Sequence, residues 1–137
     1  MKLEFTGPLW ADDFESEGCW VLLQDLPATV TQDDGTVIVI TAPAAFITDF
    51  CTVPRMPLIY DLFGNIARKA GALHDFLYSQ ATHPRDWCDL VLKAALIAQG
   101  VSEIKAYEMW LAVRVKGGPH YGTKTLRMRP CAPPSSS

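Results

Sequence analysis

Along the first fifty residues, apolar and polar positions follow the two-residue rhythm of strands. Thr36 to Thr41 reads T-V-I-V-I-T, and Cys19 to Val30 is rich in Val, Leu and Thr, so both stretches predict β-structure. Between them Asp33-Asp34-Gly35 supplies a residue that takes positive φ at little cost, which predicts a hairpin. A further short strand is expected over Phe46-Ile47-Thr48, ending at Asp49. Cys51 to Arg55 must then be a loop, because Pro54 disfavours helix at the residue before it.

From residue 56 the spacing becomes helical. Met56 to Phe63 predicts a short helix, and Ile66 to Ser79 a second, with Ile66, Ala70, Leu73 and Leu77 on one stripe. Thr82-His83-Pro84 opens a third, with the proline expected at the first helical position; it runs to Gln99 and stops at Gly100. Ser102 caps a fourth, reaching about Val115 before Gly117-Gly118-Pro119 ends it, with Ile104, Tyr107, Leu111 and Val115 expected as its core stripe. Strands first and helices second predict an α+β fold: N-terminal antiparallel strands with a hairpin, followed by three to four packed helices. We expect one domain over 1–122 and a C-terminal arm over 123–137, where basic residues give way to Pro-Pro-Ser-Ser-Ser.

Composition narrows the class. The 137 residues are 49% hydrophobic and 20% charged with a formal net charge of -3, which suits one globular domain and excludes a disordered or fibrous chain. That mild acidity argues against nucleic acid as a partner. The N-terminal residues lack a secretory pattern, and no apolar run is long enough for a transmembrane segment. Cys19, Cys51, Cys88 and Cys131 never pair as C-x-x-C; they read as reduced packing thiols of a cytosolic protein rather than zinc ligands.

Chemistry concentrates where polar residues interrupt apolar helices. In Leu73-His74-Asp75-Phe76-Leu77-Tyr78, His74 and Tyr78 are four apart and therefore neighbours, with Asp75 one step round. The third helix is apolar almost all round, so Asp89 on it requires a partner; Arg85, four residues earlier, is one candidate. Arg114 on the fourth helix needs a carboxylate, for which Asp49, Asp75 and Asp89 are available. Arg55, Arg85 and Arg114 with these carboxylates form either a site or a structural ion-pair network.

Residues 44–55, from Ala44 to Arg55, resemble a characteristic block of a small phage and prophage family catalogued as domain of unknown function 1353. Ala72 to Tyr78, Arg85 with Asp89, and Ala112-Val113-Arg114 match its later blocks in order, so the resemblance spans roughly 19 to 122. Ala45 stands where that family usually has glycine, and Cys51-Thr52 where it has Ala-Ser. The resemblance implies a tailed-phage origin. It leads to the expectation of a virion-associated tail or tail-tip accessory subunit, assembled in the host cytoplasm and touching other virion proteins through 123–137.

A second expectation comes from His-Asp-x-x-Tyr followed by a later helical aspartate, which is similar to the constellation of phospholipases A2. That resemblance implies metal-assisted ester hydrolysis, or another envelope-directed hydrolysis, with His74 as base, Asp89 orienting it and Tyr78 assisting. Asp75 would then be a ligand to a divalent cation, calcium or zinc, with Asp49 as a further candidate ligand. No glycine-rich calcium loop precedes the helix. A His-Asp phosphohydrolase is a poorer match, because it needs an upstream histidine and His74 is the first in the chain.

Overall fold

The hairpin centred on Asp33-Asp34-Gly35 is the frame on which one of two sheets is built. In the computed structural model, which describes residues 1–13, 20–48, 68–116, 118, 121 and 122, Gly35 takes φ +89. The turn is closed by Gln32 N–H to Thr36 O (2.8 Å) and Gly35 N–H to Gln32 O (2.9 Å). The strands in chain order are β1 (Lys2–Phe5), β2 (Ala11–Asp13), β3 (Trp20–Leu22), β4 (Leu26–Thr31), β5 (Val37–Ala42) and β6 (Ile47–Thr48). They form two antiparallel three-stranded sheets, ordered β1-β4-β5 and β2-β3-β6. Alternation along β4 turns Leu26, Ala28 and Val30 into the core.

Three helices follow among the described residues: α1 (Arg68–Gln80), α2 (Arg85–Ala98) and α3 (Glu103–Lys116). The fold is therefore α+β, as the pattern predicts. The expected helix over 56–63 and the arm over 123–137 lie outside the described residues. At the start of α2, Pro84 occupies the cap (φ -56, ψ 144) rather than the first helical position. That helix ends in a Schellman closure, with Gly100 at φ +92, Gly100 N–H on Ile97 O (3.0 Å) and Val101 N–H on Leu96 O (3.0 Å). Ser102 caps α3 by accepting from Lys105 N–H at 3.3 Å.

The β-structure expected over 19–30 is divided into β3 and β4, which Leu23 to Asp25 separate and which belong to different sheets. The structure corrects two expectations about the helices. Helix α1 is not amphipathic. Every residue from Ala70 to Tyr78 is buried, because the helix lies between the sheets and α2. On α3 the expected core stripe of Ile104, Tyr107, Leu111 and Val115 faces outward, and Ala106, Met109 and Val113 are buried instead. Both stripes recur at helical spacing about half a turn apart, so periodicity alone could not choose between them. The smaller side chains allow closer approach to α2, and the commitment of Arg114 described below fixes the rotation.

Ala45 adopts φ +73 in the tight link between β5 and β6, held by its N–H on Leu22 O at 2.7 Å. An L-residue with a Cβ is strained there by roughly 1–2 kcal/mol, while glycine is not. This is the position where the resembling family usually carries glycine. Ala45→Gly is expected to stabilise the protein by about 1 kcal/mol in urea unfolding; a destabilised variant would refute the strain.

Candidate functional site

Helix α1 passes through the middle of the molecule and carries His74, Asp75 and Tyr78 into the core, while α2 brings Asp89 to meet them. His74 and Asp89 are both 0% exposed, and His74 Nε2 lies 2.9 Å from Asp89 Oδ1. Tyr78, one helical turn beyond His74, donates its hydroxyl proton to the same oxygen at 2.5 Å. From α3, Arg114 donates Nη1–H to the other oxygen, Asp89 Oδ2, at 2.7 Å and reaches Asp86 with Nη2 at 3.1 Å. The three residues expected to work together, His74, Asp89 and Tyr78, are thus in direct contact.

Arg85 does more than form the i,i+4 pair its spacing suggests. It approaches Asp89 Oδ2 only to 3.8 Å. Its Nε donates to Tyr78 Oη at 3.1 Å, and its Nη2 donates to the carbonyls of Val113 (2.7 Å) and Arg114 (3.0 Å). Those carbonyls lie in the last turn of α3, whose partial negative charge a guanidinium complements. One arginine therefore ties the end of α3 to the tyrosine that holds Asp89.

Electrostatics fix the protonation pattern. Burial by itself would raise the Asp89 carboxyl, but hydrogen bonds from His74, Tyr78 and Arg114 outweigh it and hold the group below the usual carboxylate range. Burial lowers His74 from its ordinary value of 6.5, and the attraction of Asp89 only partly offsets this. The Tyr78 hydroxyl is pushed well up, first by burial and then by its bond to Asp89. An ionised carboxylate can only accept, so the proton of neutral His74 sits on Nε2 and Nδ1 carries a bare lone pair. That Nδ1 is buried and has no hydrogen-bond partner among the described residues.

The linkage to stability follows in sign. The unfolded chain binds a proton at His74 near 6.5, whereas the folded chain binds it only at lower pH. The contribution is therefore full above 6.5 and declines as pH falls toward the lowered folded value. Asp89 adds a second loss of the same sign below its ordinary 3.8. We expect Tm to fall as pH drops from 7 to 5, and His74→Gln to flatten that slope; an unchanged slope would contradict the assignment.

Asp75, the neighbour of His74, points elsewhere. Its Oδ2 accepts from Thr48 Oγ1 at 2.8 Å, joining α1 to the end of β6 across the core. Asp49 and Arg55 lie outside the described residues. Calcium takes six to eight oxygens, and among the described residues no group of three or more His, Cys, Asp or Glu could hold a metal. A buried carboxylate whose Oδ2 is committed to Thr48 does not by itself make such a cage. The described donor set does not fit the cation that the phospholipase resemblance implies.

Two contributors escaped sequence reasoning. Thr48 on a two-residue strand has no signal beyond its place before Asp49, and Asp86, in the first turn of α2, has the pattern of any acidic residue at a helix start. Of the other histidines, His83 stacks on Trp87 with ring centroids 4.4 Å apart, and its carbonyl accepts from the Tyr121 hydroxyl; His120 lies outside the described residues. Cys88 is buried beside the site, and burial followed by the Asp89 charge pushes its thiol up to about 12, leaving it a packing residue. No described helix is long and apolar enough to cross a membrane.

No curated protein and no solved structure matches the chain significantly. A family profile does match, over residues 20–113, and covers the strands from β3 onward, the His74–Asp89 pair and nearly all of α3. The chain belongs to the family described as protein of unknown function (DUF1353).

Proposed function

We propose that the protein is an ester hydrolase in which His74 is the general base, with phospholipid esters as the substrate class the local similarity suggests. The observation that carries this reading is the buried Nδ1 of His74: a nitrogen whose lone pair is unpartnered while the opposite nitrogen is clamped on Asp89. A buried acceptor left unmade costs roughly 1–3 kcal/mol, and such a cost persists at sites where a substrate or water completes the bond. In the proposed step Nδ1 takes a proton from water as its oxygen adds to the ester carbonyl. The same proton then passes to the departing alkoxide. Asp89 keeps the imidazole in the correct tautomer and stabilises the transient imidazolium, as an orienting carboxylate does in other hydrolases. Tyr78 and Arg114 in turn hold both oxygens of Asp89.

Nδ1 is covered in the described state, so substrate must displace side chains over it. No step is routed through a metal. Placement on a phage particle, as a virion-associated accessory hydrolase, rests on the family resemblance alone, since the arm over 123–137 lies outside the described residues.

The test is fatty-acid release from phospholipid mixed micelles and from soluble aryl esters, with His74→Gln as the control. The reading expects release by the wild type and its loss in the variant. Failure of the wild type on every ester, with and without millimolar calcium, would overturn it.

A further inference from the structure

Helix α3 is apolar on two opposite faces, and only one of them is used. Ala106, Met109 and Val113 face the core. Ile104, Tyr107, Leu111 and Val115 recur at spacings of three and four on the other side, with exposures from 44% to 72%. A helix apolar on both sides belongs inside a larger core than its own chain supplies. The outward stripe continues onto α2. Leu90, Lys93 and Ile97 share a face of that helix, Leu90 and Ile97 are 43% and 39% exposed, and Lys93 Nζ lies 5.7 Å from the centre of the Tyr107 ring.

We propose that this two-helix face is a homodimer interface, occupied by the same face of a second copy related by a two-fold axis. The exposed parts of Leu90, Ile97, Ile104, Tyr107, Leu111 and Val115 amount to roughly 600 Å², the upper end of what a monomer ordinarily leaves in one patch. An isologous pairing would then remove about 1,200 Å² in total, which reaches the range of stable interfaces. The rim favours self-association over a lipid surface. Lys105 pairs with Glu108 along α3 at 3.4 Å, Glu103 lies on the same helix and Lys93 reaches over Tyr107, so both signs are present for a two-fold to bring together. A helix lying on a membrane carries an excess of Lys and Arg on its polar side; on α3, with Arg114 committed to Asp86 and Asp89, Lys105 and Lys116 are matched in number by Glu103 and Glu108. Tyr107, with its ring 5.6 Å from that of Trp110, supplies the aromatic anchor common at interface centres. The inference is independent of the hydrolase reading.

The experiment is sedimentation velocity on the full chain from about 1 to 100 µM, for wild type, Ile104→Glu, Leu111→Glu and Val39→Glu. The first two place a charge inside the face. Val39, exposed on β5 (66%), is the control outside it. The proposal expects a wild-type dimer, monomers for Ile104→Glu and Leu111→Glu with Tm preserved at low concentration, and a dimer for Val39→Glu. A wild type that stays monomeric at 100 µM overturns it, whether the face is then found to bind vesicles or to be covered by residues 123–137. A wild-type dimer that survives both charge substitutions overturns it equally.

Discussion

Asp89→Ala is expected to destabilise the protein by about 3–5 kcal/mol, the largest stability effect of any single substitution at the site. The wild-type carboxylate accepts from His74 and Tyr78 on one oxygen and from Arg114 on the other. Truncation leaves a buried imidazole donor and a buried hydroxyl without their acceptor and takes from Arg114 the nearer of its two carboxylates, with only Asp86 remaining, and breaking a buried pair typically carries a penalty of that size. It also opens a void between α1 and α2. Against a total stability of roughly 5–15 kcal/mol, many molecules would unfold at modest denaturant. Asp89→Asn should cost less, because an amide oxygen can still accept from His74 and Tyr78 while only the bond to Arg114 turns repulsive. Urea unfolding measures both. A loss under about 1 kcal/mol for Asp89→Ala would mean that the three helices do not depend on this contact.

The second large effect concerns rate. If His74 is the base, His74→Gln should lower kcat/KM for ester hydrolysis by about 10²- to 10⁴-fold, the ordinary range for a general base. Tyr78→Phe removes a bond to Asp89 rather than the base itself, so its effect should be smaller, about tenfold. The two substitutions should also differ in pH dependence. Wild type and Tyr78→Phe should retain an acid limb with its midpoint below the ordinary histidine value of 6.5, since only neutral His74 can accept a proton. His74→Gln should lose that limb. Equal rates in wild type and His74→Gln would remove His74 from the chemistry and leave the cluster as a structural clamp.

The sequence made parts of this arrangement legible for identifiable reasons. Local signals with a stereochemical cause came through: the Asp-Gly hairpin, the glycine after α2, and Ser102 before α3 each satisfy backbone groups within a few residues of themselves. The pairing of His74 and Tyr78 was readable because four residues is one helical turn, and Asp89 stood out because an unpaired carboxylate on an apolar helix is unfavourable. What could not be read depends on contacts distant in sequence. The rotation of α3 is set by Arg114 reaching Asp89 and Asp86 on α2, and nothing within α3 distinguishes its two apolar stripes. The enclosure of α1 follows from sheets on one side and α2 on the other, so a stripe prediction that assumes solvent nearby fails for it. Thr48 acts on Asp75 across 27 positions, beyond the reach of any local pattern.

The site turns on a neutral His74 whose Nε2 proton is held by Asp89 and whose Nδ1 keeps its lone pair. Long-range imidazole ¹H–¹⁵N correlation on labelled protein, assigned with His74→Gln and titrated from pH 8 to pH 5, reads both nitrogens directly. The expected result is a protonated Nε2, an unprotonated Nδ1 and a midpoint below 6.5. A proton resident on Nδ1, or a midpoint above 6.5, would contradict it.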